Sequence, residues 1–210
     1  MKELPRPQFL GRLSYGWALS LQRARRQAVI EGRAPEALWL LEHDPVVTLG
    51  RRGGELRTVP EGVPVVSVER GGLATVHCPG QLVGYLIVDL GSRKGSVRRM
   101  VDAIEEGLIR WLATQGIAAH RSPGRPGVWV GDAKIAAVGL HFRRGVSMHG
   151  FALNLQPDLR SFEWIVPCGH RAPVTSVAAL LGDSPAPWEV GGPVAELVRA
   201  AIVDTLPVHR

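Results

Sequence analysis

Three stretches of this chain combine nucleophilic, basic and glycine residues at spacings that could do chemistry. Cys168 stands in Ile165-Val166-Pro167-Cys168-Gly169 and is one of 2 cysteines in 210 residues. Proline lacks the backbone N–H and glycine tolerates unusual dihedrals, so this thiol is expected in a turn, where it can meet a substrate. A cysteine is also a small hydrophobe, so a buried structural role competes with a nucleophilic one. Lys134 stands in Gly131-Asp132-Ala133-Lys134-Ile135-Ala136-Ala137-Val138-Gly139. Strand alternation puts Lys134 with Ala136, Val138 and Leu140 on one face, and Ile135, Ala137 and Gly139 on the other. Both faces are apolar, an expensive setting for a charge, and the small side chains leave room for a slim acyl chain. The competing reading is a hairpin-edge lysine that snorkels to water. The third stretch opens with Arg70-Gly71-Gly72 and continues past His77 to Tyr85. Adjacent glycines let a backbone approach a ligand and aim N–H groups at an oxygen, although Gly-Gly also makes plain turns.

The elements that must position these residues follow from periodicity. Residues 13–31 read as a helix with Trp17, Leu21, Ala24 and Ala28 as its inner stripe. Residues 37–42 and 46–49 read as strands around Asp44-Pro45, and 65–69 as a short strand after a polar loop. Residues 83–90 form an apolar strand. Residues 97–115 form a long helix, with Met100, Val101, Ile104, Leu108, Trp111 and Leu112 buried. Gly131-Asp132 joins strands 128–130 and 133–142 as a hairpin, and 147–155 is a further strand. Thr175-Ser176 reads as a helix cap. Pro185 and Pro187 mark a loop, and a closing helix starts at Pro193, after Gly191-Gly192. Runs of strands separated by long helices predict an α+β fold with a mixed, largely antiparallel sheet covered by helices.

Composition narrows the classes of function. A chain of 210 residues fits a single domain spanning 1–210. No apolar run approaches the ~18–20 residues of a membrane span, and the N-terminus lacks the apolar segment of a secretory leader, so a cytoplasmic enzyme with reduced thiols is expected. The net charge of +6 favours an acidic partner, and lysine occurs only at Lys2, Lys94 and Lys134. Aromatic residues are not interleaved with the arginines, so nucleic acid is not the expected partner. His77-Cys78 and Cys168-Gly169-His170 offer four possible metal donors, but without CxxC or HxxxH spacing no metal is expected.

Together, four motifs in this order and spacing resemble the lipoyl(octanoyl) transferase family, over about residues 40–181. They are Arg70-Gly71-Gly72-Leu73-Ala74-Thr75-Val76-His77 leading to Gly80-Gln81 and Tyr85; Lys134 to Gly139; His149-Gly150-Phe151-Ala152-Leu153-Asn154; and Pro167-Cys168-Gly169. Cys78 departs from the pattern, since many relatives have glycine there. The resemblance implies a fold related to the biotin and lipoate protein ligase catalytic domain. It implies transfer of octanoyl from octanoyl-acyl carrier protein to a lysine of a lipoyl domain, in 2-oxoacid dehydrogenases or the glycine cleavage H protein. It implies Cys168 as the nucleophile that carries the acyl thioester, and Lys134 as the group that sets its protonation. It implies substrate contacts at Arg70, Gly71, Gly72, Leu73, Ala74, Thr75, Val76, His77, Ala137, Val138, Gly139, Gly150, Phe151 and Ala152. No cofactor is implied, because thioester exchange is nearly isoenergetic and the amide product is downhill. The rival is an ATP-dependent lipoate or biotin ligase on the same fold, with Gly50-Arg51-Arg52-Gly53-Gly54 cradling a phosphate. An adenylate-forming ligase needs no cysteine nucleophile, which favours the transferase.

Overall fold

The computed structural model describes residues 4–93, 96–166 and 172–207. In chain order the elements are β1 (Pro7–Leu13), α1 (Tyr15–Ile30), β2 (Ala37–His43), β3 (Val46–Leu49), β4 (Val65–Ser67), β5 (Thr75–His77), β6 (Gln81–Ile87) and α2 (Val97–Thr114). Then follow β7 (His120–Ser122), β8 (Arg125–Val130), β9 (Ala133–Arg143), β10 (Val146–Asn154), α3 (Val177–Leu181) and α4 (Pro187–Thr205). A 7-stranded sheet has the order β1-β2-β6-β10-β9-β8-β7, and a 3-stranded sheet has the order β4-β3-β5. Among the strands of the described residues, only β1–β2 and β3–β4 pair in parallel. The expected α+β class, with a mixed and largely antiparallel sheet, holds.

Every residue of β2, β6 and β10 is buried, because helices cover both faces of the large sheet. Leu38, Leu40, Leu82, Leu86 and Leu153 pack with α2 and α4. Trp39, Leu41, Val83, Tyr85 and Ala152 share the opposite cluster with Ala18 of α1. Period-2 alternation thus gives each strand two apolar faces. Helix α2 buries Met100, Ile104, Leu108, Trp111 and Leu112, as its spacing predicts, while Val101, expected with them, is half-buried and lines a cavity. It meets α4 so closely that a Cβ on Gly107 would lie 2.4 Å from Val198 Cα.

Several expectations need correction. Helix α1 buries Tyr15, Ala18, Leu19, Gln22 and Arg26, whereas Trp17 is 60% exposed and Ala24 also faces out. Its inner face is partly polar, so an apolar stripe points to the wrong side. Helix α4 begins at Pro187 and runs through Gly191-Gly192 and Pro193. Pro187 suits a first turn, and Glu189 Oε2 accepts the Ala186 N–H at 2.7 Å, which closes the end that Pro193 was expected to provide. Strands β1, β5 and β7 were not anticipated; β1 is an edge strand that starts at a proline, which an edge tolerates. In β9 the strict alternation stops at Lys134. Trp129 pairs with Lys134 and Val128 with Ala136, so Ile135 is an extra, bulged residue, and Ile135 and Ala136 are both buried in the core.

A buried ion pair fixes the approach to α2. Arg93 donates through both terminal nitrogens to the Glu36 carboxylate, at 2.8 Å each, and Glu36 also accepts the Asp89 N–H at 2.9 Å. Arg93→Met should strand the Glu36 carboxylate in the interior and cost about 3–5 kcal/mol in urea unfolding. Adding Glu36→Met should recover much of that loss, because apolar replacement of both members is often neutral. A double variant no more stable than the single one would show that the pairing of charges is not what stabilises this corner.

Candidate active site

Two of the three chemical stretches, those of Arg70 and Lys134, meet on one cavity of about 370 Å³, and Ile165, at the described start of the Cys168 stretch, also lines it. Ala137, Val138 and Gly139 of β9, and Gly150, Phe151 and Ala152 of β10, line it, with Lys134 on the same strand. Arg70, Gly71, Gly72, Leu73, Ala74, Thr75 and His77 form another wall, and Tyr15 of α1 a third. Val76 does not face the cavity. Alternation in β5 turns it outward, and it packs fully buried with Val47, Ala74 and Ile165. Cys168 lies outside the described residues, as does His170. The described residues on either side are tied down. The Val166 N–H donates to the Glu55 carbonyl at 3.0 Å, and the Pro173 carbonyl accepts the Lys134 N–H at 2.9 Å.

The shape of the cavity comes from small residues and a clamped loop. Gly150 stands opposite Gly139 and Ala152 opposite Ala137, so the cross-strand pairs on either side of Phe151–Val138 carry almost no side chain. A Cβ on Gly150 would lie 2.1 Å from the Gly84 carbonyl oxygen, so only glycine fits there. The Gly71 N–H donates to the Leu140 carbonyl at 3.0 Å, which docks the loop onto β9. Buried Arg70 holds that loop. Its Nη1 donates to Gly71 and Leu73 carbonyls, and its Nη2 to the Thr48 carbonyl and Oγ1 at 2.8 Å each. Arg70 therefore shapes the wall as well as lining it.

One side of the cavity is polar but uncharged. His43 donates from Nδ1 to the Leu13 carbonyl at 2.8 Å, so its Nε2 accepts from the Tyr85 hydroxyl at 2.6 Å. Burial drives the His43 imidazole down to about 4 and His149 to about 3, where nearby Arg70 adds to the effect. Burial also holds His77 well below the usual range, and pushes the Tyr15 phenol up to about 12. Tyr15 stacks on His77 with ring centroids 6.0 Å apart. His149 has a φ of 66°, a left-handed value rare outside glycine, and its N–H is held by Gln22 Oε1 at 2.9 Å. Its Nε2 is buried without a hydrogen-bond partner among the described residues.

Lys134 is half-buried. Its Nζ donates to the Pro126 carbonyl at 3.0 Å and sits 4.8 Å from the Trp129 ring centroid. Its own carbonyl accepts the Thr175 N–H at 3.0 Å, so the segment after Cys168 runs alongside it. A polar chain leads back to the loop. The Thr175 carbonyl accepts from Asn154 Nδ2, Asn154 Oδ1 accepts from Gln81 Nε2, and Gln81 Oε1 faces His77 Nδ1 at 3.2 Å. Ser176 caps α3, its Oγ accepting the Ala179 N–H at 3.1 Å, as expected. Sequence motifs do not single out Tyr15, Gln22 or His43; His43 ends a strand whose first five residues, Ala37 to Leu41, are apolar, and that polar close with Glu42 is the available signal. Cys78 is buried, its Sγ lies 3.5 Å from Ser161 Oγ, and burial raises its thiol above the ordinary range. Among the described residues no cluster of three His, Cys, Asp or Glu side chains could hold a metal ion.

Comparison with known proteins agrees with this geometry. The sequence pattern of the lipoyl protein ligase A/B catalytic domain matches residues 14–198. An octanoyltransferase from Geobacter metallireducens is 47% identical over 174 residues, 82% of each chain. One from Pelobacter propionicus is 41% identical over 199 residues, covering 94% of this chain and 95% of its own. In fold, the chain is similar to a bipartite lipoate protein ligase from Thermoplasma acidophilum, with a TM-score of 0.69 and 17% identity over 97% of this chain and 84% of that one. It is also similar to biotin protein ligase from Aquifex aeolicus in complex with biotin and ATP, with a TM-score of 0.58 and 10% identity over 96% and 70%.

The buried histidines make stability depend on pH. His43 and His149 stay neutral in the folded protein, while in the unfolded chain they bind a proton near the ordinary 6.5. Below that pH the unfolded state holds more protons, so their contribution is whole above 6.5 and is lost as pH falls toward 4 and then 3. Each should add up to about 1.4 kcal/mol per pH unit to the slope. Denaturant unfolding between about pH 7 and 5 reads this slope, and His43→Gln should flatten it. A slope unchanged in that variant would remove His43 from the account.

Proposed function

The chain belongs to the lipoyl protein ligase A/B catalytic-domain family, and from that premise we propose that it moves octanoyl groups onto lipoyl domains through a thioester on Cys168. It is an acyltransferase acting in protein lipoylation. The observation that carries the reading is the slim wall of Gly150–Gly139 and Ala152–Ala137 pairs, on the strand that also holds Lys134. Such a wall suits an unbranched apolar chain, and an amine on the same strand suits a partner for a thiol. Cys168 precedes by five residues Pro173, whose carbonyl is bonded to Lys134.

The donor is octanoyl-acyl carrier protein, and residues 1–210 act as one cytoplasmic catalytic domain. The Cys168 thiol gives its proton to Lys134 and attacks the thioester carbonyl, the carbon–sulfur bond to the carrier breaks, and the carrier thiolate leaves with that proton, taken back from Lys134. The acceptor is a lipoyl-domain lysine, in a 2-oxoacid dehydrogenase or the glycine cleavage H protein. Its amine attacks the acyl-enzyme, the bond to Cys168 breaks, and Lys134, once deprotonated, takes the proton shed by the amine. The ligase rival fits less well. In the segment proposed as a phosphate cradle, the N–H groups of Gly50, Arg51, Arg52 and Gly53 already donate to the carbonyls of Leu73, Arg70, Gly72 and Gly50. Those donors are spent on the loop and are not presented to a phosphate.

Incubation with octanoyl-carrier protein should add one octanoyl mass, labile to hydroxylamine. Cys168→Ala should abolish the adduct and the transfer. Cys78→Ala should keep both, because burial holds the Cys78 thiol protonated. Octanoyl mapped to the Cys78 peptide, or an adduct that persists in Cys168→Ala, would overturn the assignment.

A further inference from the structure

Glu105 is a carboxylate on the inner face of α2, 4% exposed in an otherwise apolar stripe. Such a charge is costly to bury without a reason. Its Oε1 accepts the Gly127 N–H at 2.7 Å, and its Oε2 lies 3.5 Å from Arg121 Nε. That N–H belongs to the peptide unit whose carbonyl is Pro126, and the Pro126 carbonyl accepts Lys134 Nζ at 3.0 Å. One rigid peptide plane therefore stands between the carboxylate and the amine, with its N–H toward one and its C=O toward the other. A carboxylate on the N–H side polarises the plane and strengthens the acceptor on the C=O side.

Gly127 makes the contact possible. Its φ is 120°, and a Cβ there would lie 2.5 Å from the Ala136 carbonyl oxygen and 3.3 Å from Lys134 Cε. The aliphatic stem of Lys134 thus lies against the backbone that Glu105 holds. The bulge at Ile135 sits one residue further along β9, so the local ladder alone does not fix this corner.

We propose that Glu105 is a positioning residue for Lys134, acting through the Pro126–Gly127 peptide to hold the amine at the cavity. This rests on the catalytic role of Lys134 proposed above. It assigns a task to a buried charge that the transfer steps do not use, and it makes α2 part of the catalytic apparatus.

The test uses Glu105→Gln, which keeps an acceptor for the Gly127 N–H, and Glu105→Leu, which removes it. The chain has lysine only at positions 2, 94 and 134, so lysine-selective ¹³C labelling gives three ε-carbon signals. That of Lys134 is identified by its loss in Lys134→Arg and is shifted by the Trp129 ring. In Glu105→Leu this signal should move toward the solvated lysine position. The kcat for transfer should fall about ten- to a hundred-fold, as for a misplaced catalytic group, with KM for the carrier thioester within about twofold. Glu105→Gln should keep the Lys134 signal near its wild-type place and kcat within about threefold. If Glu105→Leu does not fold, Glu105→Asp decides, because it keeps the charge but withdraws it from Gly127; the Lys134 signal should still move. A folded Glu105→Leu, or in its place Glu105→Asp, with an unmoved Lys134 signal overturns the proposal, and so does Glu105→Gln behaving like Glu105→Leu. The signal needs no substrate. A protein with no octanoyl transfer whose Lys134 signal still follows Glu105 would sink the functional reading and leave the hold of Glu105 on Lys134 standing, while a fully active Glu105→Leu would do the reverse.

Discussion

Desolvation decides which polar groups this fold can keep inside, and the site is built from those that pass. A buried ion is tolerated only where its hydrogen-bonding capacity is met. Glu36 and Arg93 meet it with each other, and the two terminal nitrogens of Arg70 meet it with carbonyls and a hydroxyl. The remaining interior polar groups at the cavity are imidazoles, phenols and amides held neutral. Burial makes protonation of His43, His77 and His149 and ionisation of Tyr15 unfavourable in the same place. An apolar acyl chain can lie beside such groups without facing a net charge. A charge placed there would demand a counterion or water, and either would compete with the chain for the cavity.

The second constraint is backbone economy around Lys134. Both backbone groups of this residue are committed to the segment at residues 173–175, and its side chain reaches the Pro126 carbonyl. The bulge at Ile135 breaks the β9 alternation, so Ile135 and Ala136 both enter the core while Ala137, Val138 and Gly139 line the cavity. A regular strand with Lys134 on the cavity side would put Ala136 there with it, whereas Ala136 is in the core. Asn154 and Gln81 then connect the Lys134 corner to the loop at residues 70–77 through side-chain amides, which offer donor and acceptor without charge.

What was legible in the sequence follows the same logic. Helix α2 was readable because its inner face is nearly all apolar at helical spacing. The β8–β9 and β9–β10 strands were readable because glycine turns punctuate apolar runs. Helix α1 was readable as a helix but not in its orientation. Its buried face carries Tyr15, Gln22 and Arg26, which serve His77, His149 and His141 across the fold. No local pattern announces that a glutamine belongs inside, since its partner lies far away in the chain. The start of α4 was misplaced because Pro193 resembles a first-turn proline, while Pro187 and Glu189 supply that end. The site was legible as motifs, and Val76 shows the limit. A motif records neighbours in sequence, but alternation in β5 sends that one side chain into a core cluster.

Fold likeness and chemistry separate in this family. A sheet of this order, with a loop docked on β9 and small residues in the cavity wall, suits any enzyme that must hold an acyl chain beside an amine. An adenylating enzyme must also present N–H groups or cations to a phosphate. In this chain the glycine-bearing turn at residues 50–53 turns the N–H groups of Gly50, Arg51 and Arg52 onto the carbonyls of the loop that Arg70 clamps, and that of Gly53 onto its own Gly50 carbonyl. A Cβ on Gly50 would lie 2.4 Å from the Gly72 carbonyl oxygen, so this glycine serves close packing between two loops. The same residue type at the same place could serve a phosphate only if the loop at residues 70–74 moved away. The hydrogen bonds that shape the acyl cavity are therefore the ones that withhold a phosphate cradle. That agrees with the proposed use of a donor that arrives already activated as a thioester.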